Sequence, residues 1–580
     1  MNEENNNVNE VKEPVSEATE IIDVVETPVD DNIQNDNVEI TLGDKPKKKK
    51  TGLILVILIL LICAGGAGYF LLNDKKEEKK VEKKTETNTK EVEASYKITD
   101  YKLSDFDLLF IKENNDQTNK VCSPLSVKYT LEMLSEGATG ESKTQIDNVI
   151  GEYSAKKYTN SANMSFANAL FIKDSLKNDI KSNYTNTLKT KYNAEVMYDS
   201  FNDAKNINTW VYNNTNKLIK DLASDEDVKE QDFILLNALS IDMEWINKIQ
   251  PTTYSEESPD KFGEFDADFA HEKIGYFGVS SLDIEEYSPL KFNNKKNVDS
   301  VRFGVIANKY DIVKELGAEK IRKTVEDDIK KMEKTGGVTP EEPVKEYLDQ
   351  YMKDIAANYK YYRASTDFKY YDDNDVKVFA KDLKTYNGVT LQYIAILPKK
   401  VSLNDYIKNV NATTLNTIIN NLKDIKYDDF EEGVITAIHG FVPLYKFDYM
   451  LDLKPSLNKM GITNVYDQAK ANLTNIMDQN SHIKISKQKA TIEFSNEGIK
   501  AAAATEVGGA GGLSGGYDYL FDVPIKFIDL TFDKPFMYII RDKDSGEVWF
   551  TGTVYEPTPS KVTDYSVDPS NYDPSKFDEE

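Results

Sequence analysis

Residues 496–516 read NEGIKAAAATEVGGAGGLSGG, with four consecutive alanines and seven glycines. Alanines offer too little side chain to hold a core, and glycine in regular structure costs about 0.5–1 kcal/mol relative to alanine. Just before it, KISKQKATIEFS places Ile485, Ala490, Ile492 and Phe494 as a half-buried strand would. A strand that runs straight into a bare, flexible ribbon describes a chain built to move part of itself.

The rest of the chain has to say where it moves. Its 580 residues suffice for one large core or two smaller ones. With Lys+Arg 72 against Asp+Glu 98, a formal net charge of −26 argues against a nucleic-acid partner, whose phosphates reward clustered cations. Basic runs flank one place only, the uncharged segment GLILVILILLICAGGAGYFLL at residues 52–72. It is long enough to cross about 30 Å of hydrocarbon as a helix. Lys47 to Lys50 precede it, which predicts a cytoplasmic N-terminus and an uncleaved, single-pass signal-anchor with the bulk of the chain outside the cell. A cleaved signal peptide and a lipid-modified Cys63 are the alternatives. Of the two cysteines, Cys63 lies in the apolar segment and Cys122 far from it, so stability must come from packing without a disulfide. The abundance of Asn, Lys and Tyr suggests an AT-rich bacterial genome.

Residues 1–51 read as an acidic disordered segment, 73–96 as a charged stalk, and 558–580 as an acidic disordered tail. Between them, 97–557 alternates helix and strand patterns irregularly, which is the α+β class. PLSVKYTLEMLSEGA has Val127, Leu131 and Leu134 at helical spacing after Ser123-Pro124. FILLNALSID and GVTLQYIAILP read as strands, and KFIDLTFDKPFMYIIRDKDSGEVWFTGTVYEP as two strands joined at Asp544-Ser545-Gly546. Residues 298–363 stand apart as a helical insertion: Leu316, Ile321, Val325 and Ile329, then Val344, Leu348, Ile355 and Tyr359, separated by Gly336-Gly337 and Pro340.

Catalytic and metal-binding patterns are missing from the sequence. His271, His439 and His482 make no metal-ligand spacing, and the glycines at 508–516 lack the lysine and helix of a phosphate cradle. Cys122 precedes a helix start, where a thiolate could be favoured, though it also reads as a small buried hydrophobe. No enzyme, cofactor or metal is expected.

Several stretches, taken in order, resemble the serpins. They are NKVCSPLSVKYTLEMLSEGATGESKTQIDNVIG (119–151), ANALFIKD (167–174), YNAEVMYDSF (192–201), INTWVYNNTNKLIKDL (207–222), LLNALSIDMEW (235–245), FVPLYKF (441–447), NEGIKAAAAT (496–505), FDKPFMYIIRD (532–542) and GTVYEP (552–557). The sequence departs from the family pattern in several places. Lys217 stands where the family usually has glycine. Trp245 and Pro398 are 153 positions apart, and Gly498 and Phe536 are 38 apart, both more than is usual.

The resemblance implies three β-sheets with surrounding helices and an exposed reactive loop. It further implies an inhibitor that a target protease attacks as substrate, after which the cut loop inserts as a new strand and traps the acyl-enzyme. The hinge would be Glu497, Gly498, Ile499, Lys500, Ala501, Ala502, Ala503, Ala504 and Thr505. Counted from Gly498, one face carries Ile499, Ala501, Ala503, Thr505, Val507 and Gly509, none of them charged, as a buried strand face requires. Family spacing puts the scissile bond at Leu513-Ser514, with Tyr517, Tyr519, Leu520 and Phe521 as rivals. The target would be a chymotrypsin-, elastase- or subtilisin-like serine protease, or alternatively a cysteine protease, met by a monomer. Ser123, Ser126, Asn237, Trp245 and Gln488 would sit where the central sheet opens, Gln488 in place of a common histidine. The competing expectation is a non-inhibitory cell-surface scaffold that displays its long loop or helical insertion.

Overall fold

The computed structural model describes residues 96–252, 290–336, 344–358, 361–499 and 524–557. The acidic segment 1–51, the apolar segment 52–72, the stalk up to residue 95, the tail 558–580 and His271 lie outside them. Among the described residues no helix is long and apolar enough to cross a membrane.

The longest sheet has seven strands. Its centre is Val548–Val554, Phe536–Asp542, Leu391–Pro398 and Val376–Asp382. These are buried along nearly their whole length, as continuous apolar runs such as LQYIAILP require. The C-terminal pair is joined at Asp544-Ser545-Gly546, where Gly546 takes φ +79°. A second sheet orders Tyr361–Ala364, Ser300–Asn308, Ile435–Pro443 and Ile525–Asp529, the last pair parallel.

The helical insertion is narrower than residues 298–363. Ser300–Asn308 is a fully buried central strand, and the added chain leaves it at Asn308 and returns as the edge strand Tyr361–Ala364. Between them come Ile312–Leu316, Ala318–Thr335 and Val344–Asn358. Ile321, Val325, Ile329 and Leu348 point inward against Ile306, Ile435 and Ala437 of the second sheet. Arg322 and Asp349 pair across the two long helices at 2.6 Å. The apolar run SVRFGVIAN pairs on both edges, which is why it belongs to the sheet although it opens the unusual region.

The third sheet is split. One part orders Glu195–Asp199, Met164–Lys173 and Phe233–Ile241; the other orders Tyr445–Asp452, Lys487–Phe494, Gly498–Ile499 and Met243–Glu244. Met243–Glu244 continues the Phe233–Ile241 strand past Asp242, so the two parts are walls of one sheet that touch only at one end. The Lys487–Phe494 strand buries Gln488, Ala490, Ile492 and Phe494. Ile485 was expected to begin that alternation but precedes the strand and is 37% exposed. The partner strand ends at Asp452, opposite Lys487, leaving Ile485 no neighbour to pair with.

Candidate functional site

The site is the gap between the two walls. Where the walls meet, Gly498 pairs with Glu244, and Ile499 pairs with both Met243 and Phe494. A short turn feeds this ladder. Trp245, fully buried, donates from its indole N–H to the Ser495 carbonyl at 2.9 Å and from its backbone N–H to the Glu497 carbonyl at 2.9 Å. Ile249 N–H donates to the Asn496 carbonyl at 3.0 Å, and Lys248 pairs with Glu497 at 2.5 Å. The Trp245 ring packs edge-on against Phe494 and Tyr393, so it is both a core aromatic and the residue that positions the turn.

Below Ile499 the walls part around a cavity of about 160 Å³. Ser123, Ser126, Asn237 and Gln488 line it, together with apolar groups such as Leu239 and Ala490. The helix Pro124–Gly137 starts here because Ser123 caps it, accepting from Ser126 N–H at 3.2 Å, with Pro124 at the first helical position. Gln488 uses both ends of its amide on one residue: its Oε1 accepts from Ser123 N–H at 2.8 Å and its Nε2 donates to the Ser123 carbonyl at 2.9 Å. The Ser126 hydroxyl donates to the Asn237 carbonyl at 3.3 Å, and Asn237 Nδ2 donates to Asn168 Oδ1 at 2.8 Å. One helix terminus thus holds both walls through neutral hydrogen bonds, and an amide can serve where a histidine would titrate.

Of the expected site residues, Ser123, Ser126, Asn237 and Gln488 come together at the cavity, while Trp245, Glu497, Gly498 and Ile499 come together at the closed end. Lys500, Ala501, Ala502, Ala503, Ala504, Thr505, Leu513 and Ser514, with the rival positions 517–521, lie outside the described residues. Sequence reasoning missed Lys248 and the pair Lys487–Asp227, which joins Lys487 Nζ to both Asp227 carboxylate oxygens at 2.8 and 2.9 Å. Surface charges carry no local signal that would have marked them.

Cys122 is fully buried, 3.1 Å from the Thr551 hydroxyl, and burial pushes its thiol up to about 12. The helix start therefore does not activate it, and it packs as a small hydrophobe. His439 is buried beside Phe527, and burial holds its imidazole below the ordinary value despite Asp529 at 3.5 Å. Among the described residues no group of three or more His, Cys, Asp or Glu could hold a metal ion.

A family model described as serpin (serine protease inhibitor) matches residues 105–258 and 358–557. An uncharacterized serpin-like protein of Methanosarcina acetivorans is 24% identical, the alignment covering 77% of this chain and 84% of that protein. Mouse neuroserpin is 22% identical over 77% of this chain and 88% of its own length. Other relatives match over less of their length: serine protease inhibitor 88Ea of Drosophila melanogaster is 27% identical over 29% of this chain and only 35% of itself. Among solved structures, the native state of the thermophilic serpin tengpin has a TM-score of 0.51 at 19% identity, covering 83% of this chain and 96% of tengpin. The split sheet, closed at one end by Gly498–Ile499, and a family match over more than half of the chain agree: this chain belongs to the serpin family.

Proposed function

We propose that the chain is a suicide-substrate inhibitor of serine proteases, tethered to a bacterial cell membrane with its folded part outside. The observation that carries the inhibitory reading is the ladder already begun at Gly498 and Ile499, with the cavity directly beneath it. Continued in the same antiparallel register, Ala501 falls opposite Ile492 and Ile241, Ala503 opposite Ala490 and Leu239, and Thr505 opposite Gln488 and Asn237. These positions share the buried face of Ile499, which is 2% exposed. Lys500 falls between Glu493 and Asp242, and Glu506 opposite Lys487, so the charges of the incoming segment meet opposite charges on the other face.

The chemistry follows from that fit. A protease serine attacks the Leu513 carbonyl, the Leu513–Ser514 amide breaks, and Leu513 remains as an ester on the protease while the Ser514 amine leaves. The freed segment advances into the gap at about 3.3 Å per residue, dragging the protease with it. Roughly ten new backbone hydrogen bonds, at about 0.5–1.5 kcal/mol each, drive the movement. The ester is hydrolysed only if the protease keeps its active site intact, so the chain acts once and stoichiometrically. It does so as a monomer without a cofactor.

Leu513 suits chymotrypsin-, elastase- or subtilisin-like proteases, and a cysteine protease could be trapped as a thioester by the same route. The tether rests on the uncharged segment 52–72 and the lysines before it. The test is incubation with a panel of serine and cysteine proteases. SDS-stable adducts and a large rise in melting temperature after nicking are expected. An unchanged melting temperature with no adduct would instead leave a display scaffold built on the long loop and the helices Ala318–Thr335 and Val344–Asn358.

A further inference from the structure

Three charged side chains meet inside the core, out of solvent. Asp107 on the helix Asp105–Glu113, Lys128 on the helix Pro124–Gly137 and Glu547 just before the strand Val548–Val554 are each 0% exposed. Lys128 Nζ stands 2.9 Å from Asp107 Oδ1 and 3.4 Å from Glu547 Oε1. The first contact is close without being aligned, since Asp107 Oδ1 accepts no hydrogen bond. The other Asp107 oxygen is fixed: Oδ2 accepts from the Ser104 N–H at 2.7 Å and from its hydroxyl at 2.8 Å. The rings of Phe106 and Tyr153 lie 5.7 and 5.5 Å from Nζ. A buried ion pair is stabilised when hydrogen bonds satisfy its remaining lone pairs, because desolvation otherwise exceeds the attraction. Here an amine faces a carboxyl oxygen to which it is not hydrogen-bonded, the acyl carbon lies one bond further on, and a second carboxyl is within reach of the amine's protons.

We propose that Lys128 and Asp107 condense to an intramolecular isopeptide bond, with Glu547 as proton carrier, which cross-links the helices Asp105–Glu113 and Pro124–Gly137. Burial disfavours the charge on Lys128, but Asp107 and Glu547 outweigh it and raise the group above its ordinary value, so the reaction starts from ammonium and carboxylate. Burial pushes the Glu547 carboxyl above its ordinary value, which suits it to take a proton and return it. Glu547 removes a proton from Nζ and passes it to Asp107, and the freed lone pair attacks Asp107 Cγ to form the N–C bond. The bond from Cγ to one oxygen breaks, and that oxygen leaves as water with the two protons the ammonium gave up. Glu547 ends as it began, and no co-reactant is consumed. Bulk water opposes such a condensation because amine and acid are each better solvated as ions. In the core both charges vanish and a water departs, so burial turns the balance toward the amide. Two helices hold the partners together, which supplies the proximity that separate molecules lack. The bond closes residues 107–128 into a ring that contains the strand Lys120–Cys122. It serves a fold in which Cys122 is free and buried, and it depends on neither the loop nor a protease.

The test is a tryptic map, by mass spectrometry, of the purified full-length chain after denaturation. The expected product joins LSDFDLLFIK (103–112) to VCSPLSVKYTLEMLSEGATGESK (121–143), one water lighter than the two peptides together and uncut after Lys128. Fragment ions should place the bond at Asp107 and not at Asp105. Glu547→Gln keeps the size of the side chain and should give the joined product in yield lower by about 10-fold or more. Asp107→Ala should give none, with cleavage after Lys128 restored. A wild type that is cut after Lys128 and yields the two peptides separately overturns the bond, whether or not the variants fold. Equal yields of joined product in wild type and Glu547→Gln overturn the role of Glu547 as proton carrier.

Discussion

A Cβ built on Gly498 would lie 2.1 Å from the Met243 carbonyl oxygen and 2.7 Å from the Glu244 Cα. Both are backbone atoms of the facing wall and cannot swing aside. Glycine is required here for close approach and not for a left-handed turn. Gly498→Val should therefore expel Gly498–Ile499 from the sheet and destabilise the protein by about 1–3 kcal/mol. Hydrogen exchange at Met243 and Glu244 would report it, and protection equal to wild type would contradict the assignment.

Two neighbouring substitutions separate the faces of the inserting segment. Ala503→Glu would place a carboxylate opposite Ala490 and Leu239, both buried, at a cost of several kcal/mol. It should turn inhibitor into substrate, with no SDS-stable adduct. Ala504→Glu faces the other way, opposite Lys489 and Ala238, and should still form the adduct. Equal behaviour of the two variants would rule out the proposed register.

Lys217 has an exposed side chain on a backbone with φ 64°. Lys217→Gly removes no packing and relieves a left-handed conformation that costs a residue with a Cβ about 1–2 kcal/mol. The melting temperature should rise, and Lys217→Ala should give no such gain. A fall with glycine would mean that the lysine side chain matters more than its backbone.

Glu132 accepts from Ala155 N–H at 3.0 Å, and burial pushes its carboxyl up to about 7. Its neighbour Glu547, beside Lys128 at 3.4 Å, is also raised by burial. An acid whose native value lies above its unfolded value binds a proton on folding. Stability should therefore rise as pH falls from about 8 to about 5, on the order of 2–3 kcal/mol from Glu132. Melting temperatures of wild type and Glu132→Gln at the two pH values check this, because the amide should flatten most of the slope. A wild type more stable at pH 8 than at pH 5 would refute it.

Much of this was legible in the chain. The helix start at Ser123-Pro124, the strands FILLNALSI and LQYIAILP, the C-terminal strand pair and the inward face of Ile321, Val325 and Ile329 all follow from spacing and caps, which are local. The resemblance added the hinge and the cluster of Ser123, Asn237 and Gln488. Other features were not legible. SVRFGVIAN was assigned to the insertion because its neighbours are unusual, whereas its membership of a sheet depends on edges formed by residues 361–364 and 435–443. Ile485 fell outside its strand because the partner strand ends at Asp452.

The sequence by itself determined the fold family, through motifs in a fixed order, and the uncharged face Ile499, Ala501, Ala503, Thr505, Val507 and Gly509, which depends on residue type and period along one stretch of chain. Only the tertiary structure decided that position 498 needs glycine, that the sheet stands open below Ile499 and that Lys487 holds Asp227 across the gap. Those facts join residues hundreds of positions apart, and the free energy that sets them comes from the fit between two walls, which no single segment contains.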